Sequence, residues 1–125
     1  MRFWRPPEFR PNPAPAVGTS SRVLFRFTLL GRDILLRQTV IDPGGSSGWH
    51  YHDGKLLVLV TEGALDHHGA ALVPVTHRSP GLFRERSGPR HAHVARNRGA
   101  RPAAITVLYV NPAGAPLSRA VATPE

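Results

Sequence analysis

The sequence predicts an all-β fold, either a sandwich or a barrel, built by a single domain of 125 residues. Segments of strand length that are apolar, alternating or rich in β-branched residues recur along the chain. Gly, Pro, Asn and Asp separate these segments at close intervals, and no segment keeps a helical period. A chain of this length is large enough to bury a substantial core.

The composition excludes several classes of function. The chain has 16 Lys and Arg, of which only Lys55 is lysine, against 8 acidic residues, for a net charge of +8. The arginines are dispersed and no helix-turn-helix, finger or RNP pattern accompanies them, so we expect no nucleic-acid partner. The absence of cysteine excludes disulfides, thiolate metal sites and Cys nucleophiles. No apolar run approaches a membrane span and the N-terminus lacks a signal-peptide core, so we expect a cytoplasmic protein without a membrane partner.

The first elements follow from proline and from alternation. Prolines concentrate in residues 1–20, which excludes a helix or a central strand there. We therefore expect an N-terminal arm over residues 1–20 and a barrel domain over residues 21–125. The first strand of the barrel is predicted at "RVLFRFTLL" (22–30), with a turn at Gly31–Asp33. The second is predicted at "ILLRQTVI" (34–41), whose last residues are β-branched.

The later elements are also short strands. The segment "KLLVLVTEGALDHHG" (55–69) breaks at Glu62–Gly63, where we expect a hairpin turn. Pro74 indicates an edge strand within residues 70–76, because proline cannot donate to the ladder of a central strand. Three further strands are predicted over residues 81–86, 91–97 and 103–110. The tail from Asn111 onward is again rich in Pro, Gly and Ala.

Two histidine pairs carry the chemical signal of the sequence. In "WHYHDGK", His50 and His52 are one residue apart, and on a strand both would project onto one face about 6–7 Å apart. His91 and His93 repeat this spacing in "RHAHVARN". If the barrel brings the two strands together, three or four imidazoles can meet around one cation. Imidazole suits Zn, Fe, Cu and Ni, so the pattern indicates a transition-metal site.

The stretch from residue 44 to residue 97 resembles the two sequence motifs of the cupin family. Gly44, His50, His52 and Gly63 fall at the positions of the first motif, and His93 and Asn97 fall at those of the second. The acidic ligand of the first motif is missing, because its position falls on Leu56 or Leu57. The Pro and Gly of the second motif are also replaced, by Gly88 and Arg90.

The resemblance implies a small single-domain cupin, a double-stranded β-helix or jelly-roll barrel. It implies that His50, His52 and His93 point inward around one divalent metal, which could be Fe, Zn, Ni, Cu or Mn. Cupins often form dimers, sometimes with an exchanged N-terminal arm. We therefore expect a homodimer, and the arm at residues 1–20 is a candidate for exchange.

A site of three histidines favours catalysis over a structural role. Three neutral ligands leave the double charge of the ion uncompensated, which favours an anionic fourth partner. Three protein ligands also leave coordination positions open, as in catalytic sites. We predict a metal-dependent enzyme that acts on a small acidic or enolisable organic substrate. It would be a mononuclear non-haem Fe oxygenase (a dioxygenase) or a cyclase/isomerase that uses Zn, Ni or Cu. The alternative is a non-catalytic cupin that binds or senses a ligand.

The surroundings of the site can also be predicted from strand parity. His91 should share the inward face of His93, as a general acid/base or a fourth ligand, unless it is an exposed residue at the strand start. An apolar wall below the metal is expected from Leu56, Val58 and Val60. Arg37 or Gln38, together with Thr39, could add one polar contact.

The other polar residues are predicted to lie away from the metal. Glu85 lies between Arg84 and Arg86, which indicates an exposed ion-pairing strand unless the register shifts by one residue. A surface hairpin is predicted for His67 and His68, and a loop for His77. Asn97 is expected to order a turn.

Overall fold

The computed structural model describes residues 15–69 and 73–123. The described chain forms ten strands, and every strand pairing among them is antiparallel. The strands are β1 (Val17–Leu29), β2 (Arg32–Ser46), β3 (His50–Tyr51), β4 (Lys55–Glu62), β5 (Ala64–Gly69), β6 (Val75–Arg78), β7 (Gly81–Glu85), β8 (His93–Arg96), β9 (Ala103–Pro112) and β10 (Arg119–Ala120). A 3₁₀ turn covers Pro89–His91. No helix in these ranges has the length and apolar character needed to cross a membrane.

The strands form two halves that are joined through β2. In one half the order is β1-β2-β9-β4-β7, and in the other it is β10-β3-β8-β5-β6. The far end of β2 crosses to the second half, where Ser46 pairs with Arg96 of β8. This arrangement is the all-β barrel that the strand pattern predicts.

The core lies between the two halves. Along β4, Leu56, Val58 and Val60 are buried and alternate with exposed residues, which is the pattern of a strand with one face inward. The pairing of β4 with β9 places Leu56 opposite Tyr109 and Val58 opposite Val107, and all four are buried. The predicted apolar wall on this face of β4 is therefore confirmed.

Two turns differ from their prediction. The turn between β1 and β2 is centred on Leu30 and Gly31, both at positive φ, and Asp33 already belongs to β2. The predicted hairpin at Glu62–Gly63 is wrong, because β4 pairs with β7 and β9 whereas β5 pairs with β6 and β8. Gly63 instead forms a corner between the two halves. Its φ is +68°, and a Cβ there would lie 2.6 Å from the carbonyl oxygen of Pro102.

The ends of the barrel agree in part with the predictions. The strand predicted around Pro74 begins just after it, as β6, and among the described residues β6 pairs with β5 alone, as an edge strand does. His77 lies in β6 and not in a loop. Residues 17–20, which were predicted as part of the arm, belong to β1. Residues 1–14 of that arm lie outside the described part of the chain.

The outer face of the first half is apolar and exposed. Leucines of neighbouring strands lie side by side on this face. The strand register pairs Leu57 with Leu108, Leu108 with Leu36, and Leu59 with Leu82. The exposed apolar residues on this face are Phe25, Phe27, Leu57, Leu59, Leu82 and Val110.

Candidate metal centre

The structure brings His50, His52 and His93 together inside the barrel. His50 of β3 is the direct cross-strand partner of His93 of β8, and their ring centroids are 4.4 Å apart. The ring of His52 lies 4.8 Å from that of His50 and 5.2 Å from that of His93. Each residue offers a ring nitrogen within 4.8 Å of the others, so the three side chains could hold one metal ion.

Backbone carbonyls fix the orientation of all three rings. The Nδ1 atoms of His50, His52 and His93 lie 2.8, 2.7 and 2.8 Å from the carbonyl oxygens of Gly48, Leu117 and His91, respectively. A carbonyl oxygen only accepts, so Nδ1 must carry the proton in each ring. The neutral form of each ring then has its lone pair on Nε2. This arrangement is the one that histidine ligands of metals show, with the second nitrogen donating to a carbonyl.

Glu85 lies among these rings, and the prediction that it is exposed is wrong. Its side chain is 9% exposed, and its Oε2 lies 3.0 Å from Nε2 of His52 and 2.9 Å from Nε2 of His93. Along β7, Gly81, Phe83 and Glu85 are half-buried and alternate with the exposed Leu82 and Arg84. This alternation was the available signal, since the apolar Phe83 shares the parity of Glu85, but the flanking arginines concealed it.

The contacts around Glu85 require positive charge. Oε2 of Glu85 and Nε2 of His93 are buried and have no hydrogen-bond partner among the described residues, although they lie 2.9 Å apart. If Nδ1 carries the only proton of the ring, a lone pair of His93 faces a carboxylate oxygen, which is repulsive. A second proton on the ring or a metal cation between the atoms removes this repulsion. The donor set therefore fits a divalent cation.

The pKa values of the cluster agree with this requirement. Burial alone would raise the pKa of Glu85, but the surrounding His52, His67 and His93 hold it well below its usual value. Burial lowers the pKa of His93, and the Glu85 carboxylate more than offsets this, so its pKa is raised. Burial and the neighbouring His93 lower the pKa of His50 to about 4. His50 is therefore neutral at pH 7 and ready to bind a metal.

His67 also belongs to the cluster, contrary to its prediction as a surface-hairpin residue. It lies in β5, and its Nε2 is 3.2 Å from Oε1 of Glu85. Its ring stacks on that of His93, with centroids 4.6 Å apart. His67, Glu85 and His93 form a second group whose ligand atoms could hold a metal, and it shares His93 with the first. His68, the next residue, instead faces Trp49 at 5.5 Å.

His91 does not share the position of His93. The strand-parity argument for it is wrong, because His91 ends the 3₁₀ turn and β8 begins only at His93. Its side chain is exposed, and its backbone carbonyl oxygen holds the ring of His93. The turn follows from Gly88, which has a φ of 100°, and from Pro89 at its first position. Asn97 orders a turn as predicted, since its amide donates to the carbonyl oxygens of Ile41 and Arg101.

A cavity of about 160 Å³ opens beside the three histidines. Its walls include the apolar residues predicted from β4, Leu56 and Val58. Arg37 and Thr39 also line it, whereas the side chain of Gln38 accepts a hydrogen bond from Arg22. The polar contact expected from β2 therefore comes from Arg37 and Thr39.

Solved structures with the same fold identify the barrel. The polyketide cyclase RemF from Streptomyces resistomycificus superposes with a TM-score of 0.70 at 17% identity, over 97% of this chain and 86% of that one. A cupin domain from Bordetella pertussis Tohama I gives 0.62 at 19% identity, over 75% and 94% of the two chains. An oxalate oxidase in complex with the substrate analogue glycolate gives 0.64 at 20% identity, over 76% and 53%.

These likenesses show that the chain has the cupin double-stranded β-helix fold, as the motif resemblance implies. No protein-family model matches the sequence, and neither does any curated protein. Two of the similar structures are enzymes with different reactions, a cyclase and an oxidase. One fold hosts many chemistries, so the reaction has to be argued from the site.

Proposed function

We propose that this cupin-fold protein is a metal-dependent enzyme that acts on a small acidic or enolisable organic substrate. The reaction would be of the cyclase/isomerase or the oxygenase type. The observation that carries the proposal is the set of three imidazoles at the cavity, His50, His52 and His93. Their Nδ1 atoms all meet backbone carbonyls, which directs their Nε2 lone pairs toward one another.

These three histidines would hold one divalent transition metal. Fe, Zn, Ni and Cu all suit imidazole ligands, and Mn stays a candidate from the motif resemblance. When bound, the metal supplies Lewis acidity toward a carbonyl or enolate oxygen, or reactivity toward dioxygen if it is iron. The protein's contribution is to fix the geometry of the ligands and to surround the open positions with a dry wall formed by Leu56 and Val58.

Arg37 favours an acidic substrate. It lines the cavity, and its guanidinium is held by Ser21, whose Oγ accepts from Nη2 at 2.9 Å, and by Tyr109, whose Oη lies 3.5 Å from Nη1. A guanidinium can pair with a carboxylate through two parallel hydrogen bonds. A carboxylate or enolate bound here would reach from Arg37 toward the histidines, in a cavity below the usual range of about 300–1,000 Å³ for drug-sized ligands. This favours a small substrate.

Tyr109 is placed to donate a hydrogen bond to such a substrate. Burial raises the pKa of Tyr109, so its hydroxyl stays protonated at neutral pH. Because Arg37 donates to its oxygen, the hydroxyl hydrogen remains free to point at a substrate oxygen. Arg37 and Tyr109 would thus orient an anionic group of the substrate, and the neutral hydroxyl of Tyr109 would add no negative charge to the cavity.

Metal analysis and turnover together test the proposal. Protein purified without a His-tag, under anaerobic conditions, should contain about one equivalent of a transition metal or recover it on addition. Oxygen uptake or product formation with a panel of small keto and hydroxy acids should then depend on that metal. Less than about a tenth of an equivalent, with no recovery on adding Fe, Zn, Ni, Cu or Mn, would refute the metal site.

The alternative is a non-catalytic cupin that binds or senses a ligand. Tight binding of an acid that survives His50→Ala, without turnover in the wild type, would favour this module over the enzyme. The presence of metal alone would not separate the two, so ligand binding and turnover need to be measured on the same preparations.

A further inference from the structure

Leu56 and Glu85 occupy neighbouring positions on the inner face of the barrel. The acidic residue of the first cupin motif falls on Leu56 or Leu57, and of these two only Leu56 is buried on the inner face. In the antiparallel pairing of β4 with β7, Leu56 and Glu85 are direct cross-strand partners, so their side chains project to the same face. Directly opposite residues have Cβ atoms about 4.5–5.5 Å apart. A carboxylate on either strand can therefore reach the same place.

We propose that Glu85 is the carboxylate ligand of the metal centre, supplied from β7 in place of the acidic residue that β4 lacks, and that His67 positions it. This inference rests on the proposed function, because it concerns the same metal. It changes the ligand set from three histidines to three histidines and one carboxylate.

The distances place Oε2 of Glu85 beside two of the three histidines. It lies 3.0 Å from Nε2 of His52 and 2.9 Å from Nε2 of His93, in a side chain that is 9% exposed. Both nitrogens carry lone pairs when their rings are neutral, because Nδ1 donates to a carbonyl in each. Two lone pairs and a carboxylate oxygen at such distances repel one another unless protons or a metal cation lie among them. A divalent metal that takes all three as ligands removes that repulsion.

The charge of the site follows from this ligand set. A divalent ion with three neutral imidazoles keeps two positive charges, whereas the carboxylate of Glu85 reduces the total to one. A substrate with one negative charge would then make the net charge of the site zero. A substrate with two negative charges is therefore not needed to balance the metal. The expectation from the sequence, that the double charge stays uncompensated, is replaced by this one.

His67 lies beside the other carboxylate oxygen of Glu85, Oε1. Its Nε2 lies 3.2 Å from Oε1, and its ring is held between His93, at 4.6 Å, and the edge of Phe83, at 5.3 Å. Nε2 of His67 is buried and has no other hydrogen-bond partner among the described residues, so a proton on it would be directed at Oε1 and would leave Oε2 facing His52 and His93. His67 is not part of the group formed by His50, His52 and His93, so we assign it as a positioning residue that acts on a metal held by those three rings through Glu85.

Moving the carboxylate back to β4 tests the inference. We would measure the metal dissociation constant by chelator competition, and the visible absorption of the Co²⁺ form, for Glu85→Leu, Glu85→Gln and the swap Leu56→Glu with Glu85→Leu. We expect Glu85→Leu to weaken binding at least tenfold and to change the Co²⁺ spectrum. Glu85→Gln should weaken binding less, because its amide oxygen remains. The swap should recover binding to within about threefold of the wild type.

Controls separate this inference from the proposed function. Glu62→Gln, in an exposed acid at the far end of β4, should leave binding unchanged. Wild-type protein that binds no metal would overturn both proposals. If the wild type binds metal and the dissociation constant of Glu85→Leu lies within threefold of the wild-type value, the role of Glu85 is overturned and the histidine site still stands. Glu85→Gln, which is close in shape, keeps the test decisive if Glu85→Leu does not fold.

His67 has its own readout. Outer-shell partners of metal ligands typically change affinity by about 10–100-fold. We expect His67→Phe, which keeps a ring but no donor, to weaken metal binding about tenfold and to shift the Co²⁺ spectrum. His67→Gln, which can still donate to Oε1, should restore both. Equal affinities and spectra for the two variants would overturn the positioning role.

Discussion

Replacing each histidine of the pair His91 and His93 separates the metal ligand from its neighbour. The two residues are two positions apart in "RHAHVARN", yet His93 is buried in the cluster and His91 is exposed at the end of the 3₁₀ turn. In His91→Ala the backbone carbonyl that holds the ring of His93 is still present. His91→Ala is therefore a matched control for His93→Ala, with the same substitution two residues away.

The size of the effect can be worked from linkage. Metal at about 100 times its dissociation constant stabilises the folded protein by about 2.7 kcal/mol. For a chain of this length 1 kcal/mol corresponds to about 4 °C in Tm, so the metal should raise Tm by about 11 °C. If the loss of one ligand weakens binding about 100-fold, the same metal concentration contributes only about 0.4 kcal/mol, and the shift falls below about 2 °C.

Differential scanning calorimetry with and without added metal measures this shift within each variant. Taking the difference within a variant removes any effect of the substitution on the metal-free fold. We expect wild type and His91→Ala to show the full shift and His93→Ala to lose most of it. Equal shifts in the two variants, or a loss confined to His91→Ala, would refute the assignment of His93 as a ligand.

Three further predictions concern other parts of the molecule. Leu30 is 91% exposed and has a φ of 51° in the β1–β2 turn, a left-handed conformation that is strained for leucine. Leu30→Asn should therefore stabilise the protein by about 1 kcal/mol in urea unfolding, and a loss of stability would contradict this strain. Hydrogen bonds from Thr28 and from the Gly114 amide lower the pKa of Asp33, so its stabilising effect should be present above about pH 4 and disappear as the pH falls through its folded pKa. The difference in stability between wild type and Asp33→Asn, followed from pH 7 to pH 2, should therefore vanish at the acid end, and a difference that grows there would contradict the sign. We expect the homodimer predicted from the sequence to cover the outer face, so Leu57→Glu combined with Leu82→Glu should give the monomer mass in light scattering; a monomeric wild type would contradict it.

Much of the fold could be predicted because its signals are local. The alternation in β4 and the β-branched end of β2 identify strands without knowledge of their partners. The corner at Gly63 could not be predicted in this way. A glycine after a strand is compatible with a hairpin or with a crossing between sheets, and the choice depends on distant strands, here β7 and β9, that pair with β4.

The site residues also differ in whether local sequence could predict them. His50 and His52 are separated by one residue, so their common direction follows from local geometry, and the motif resemblance supplied His93. Glu85 and His67 reach the cluster from β7 and β5, and their local sequences point elsewhere, to flanking arginines and to a glycine turn. Only the register of β7 on β4 shows that Glu85 lies opposite Leu56. The departure of Leu56 from the motif was visible in the sequence, but its replacement required the pairing.

The convergence of His50, His52 and His93 on one ion can be measured directly by anomalous diffraction, from crystals of untagged protein at the absorption edge of the metal it contains. We expect a single strong peak inside the barrel, about 2.0–2.2 Å from Nε2 of each of the three histidines. The absence of a peak from metal-loaded crystals, or a peak that lies away from these three histidines, would contradict the metal centre and the enzymatic function built on it.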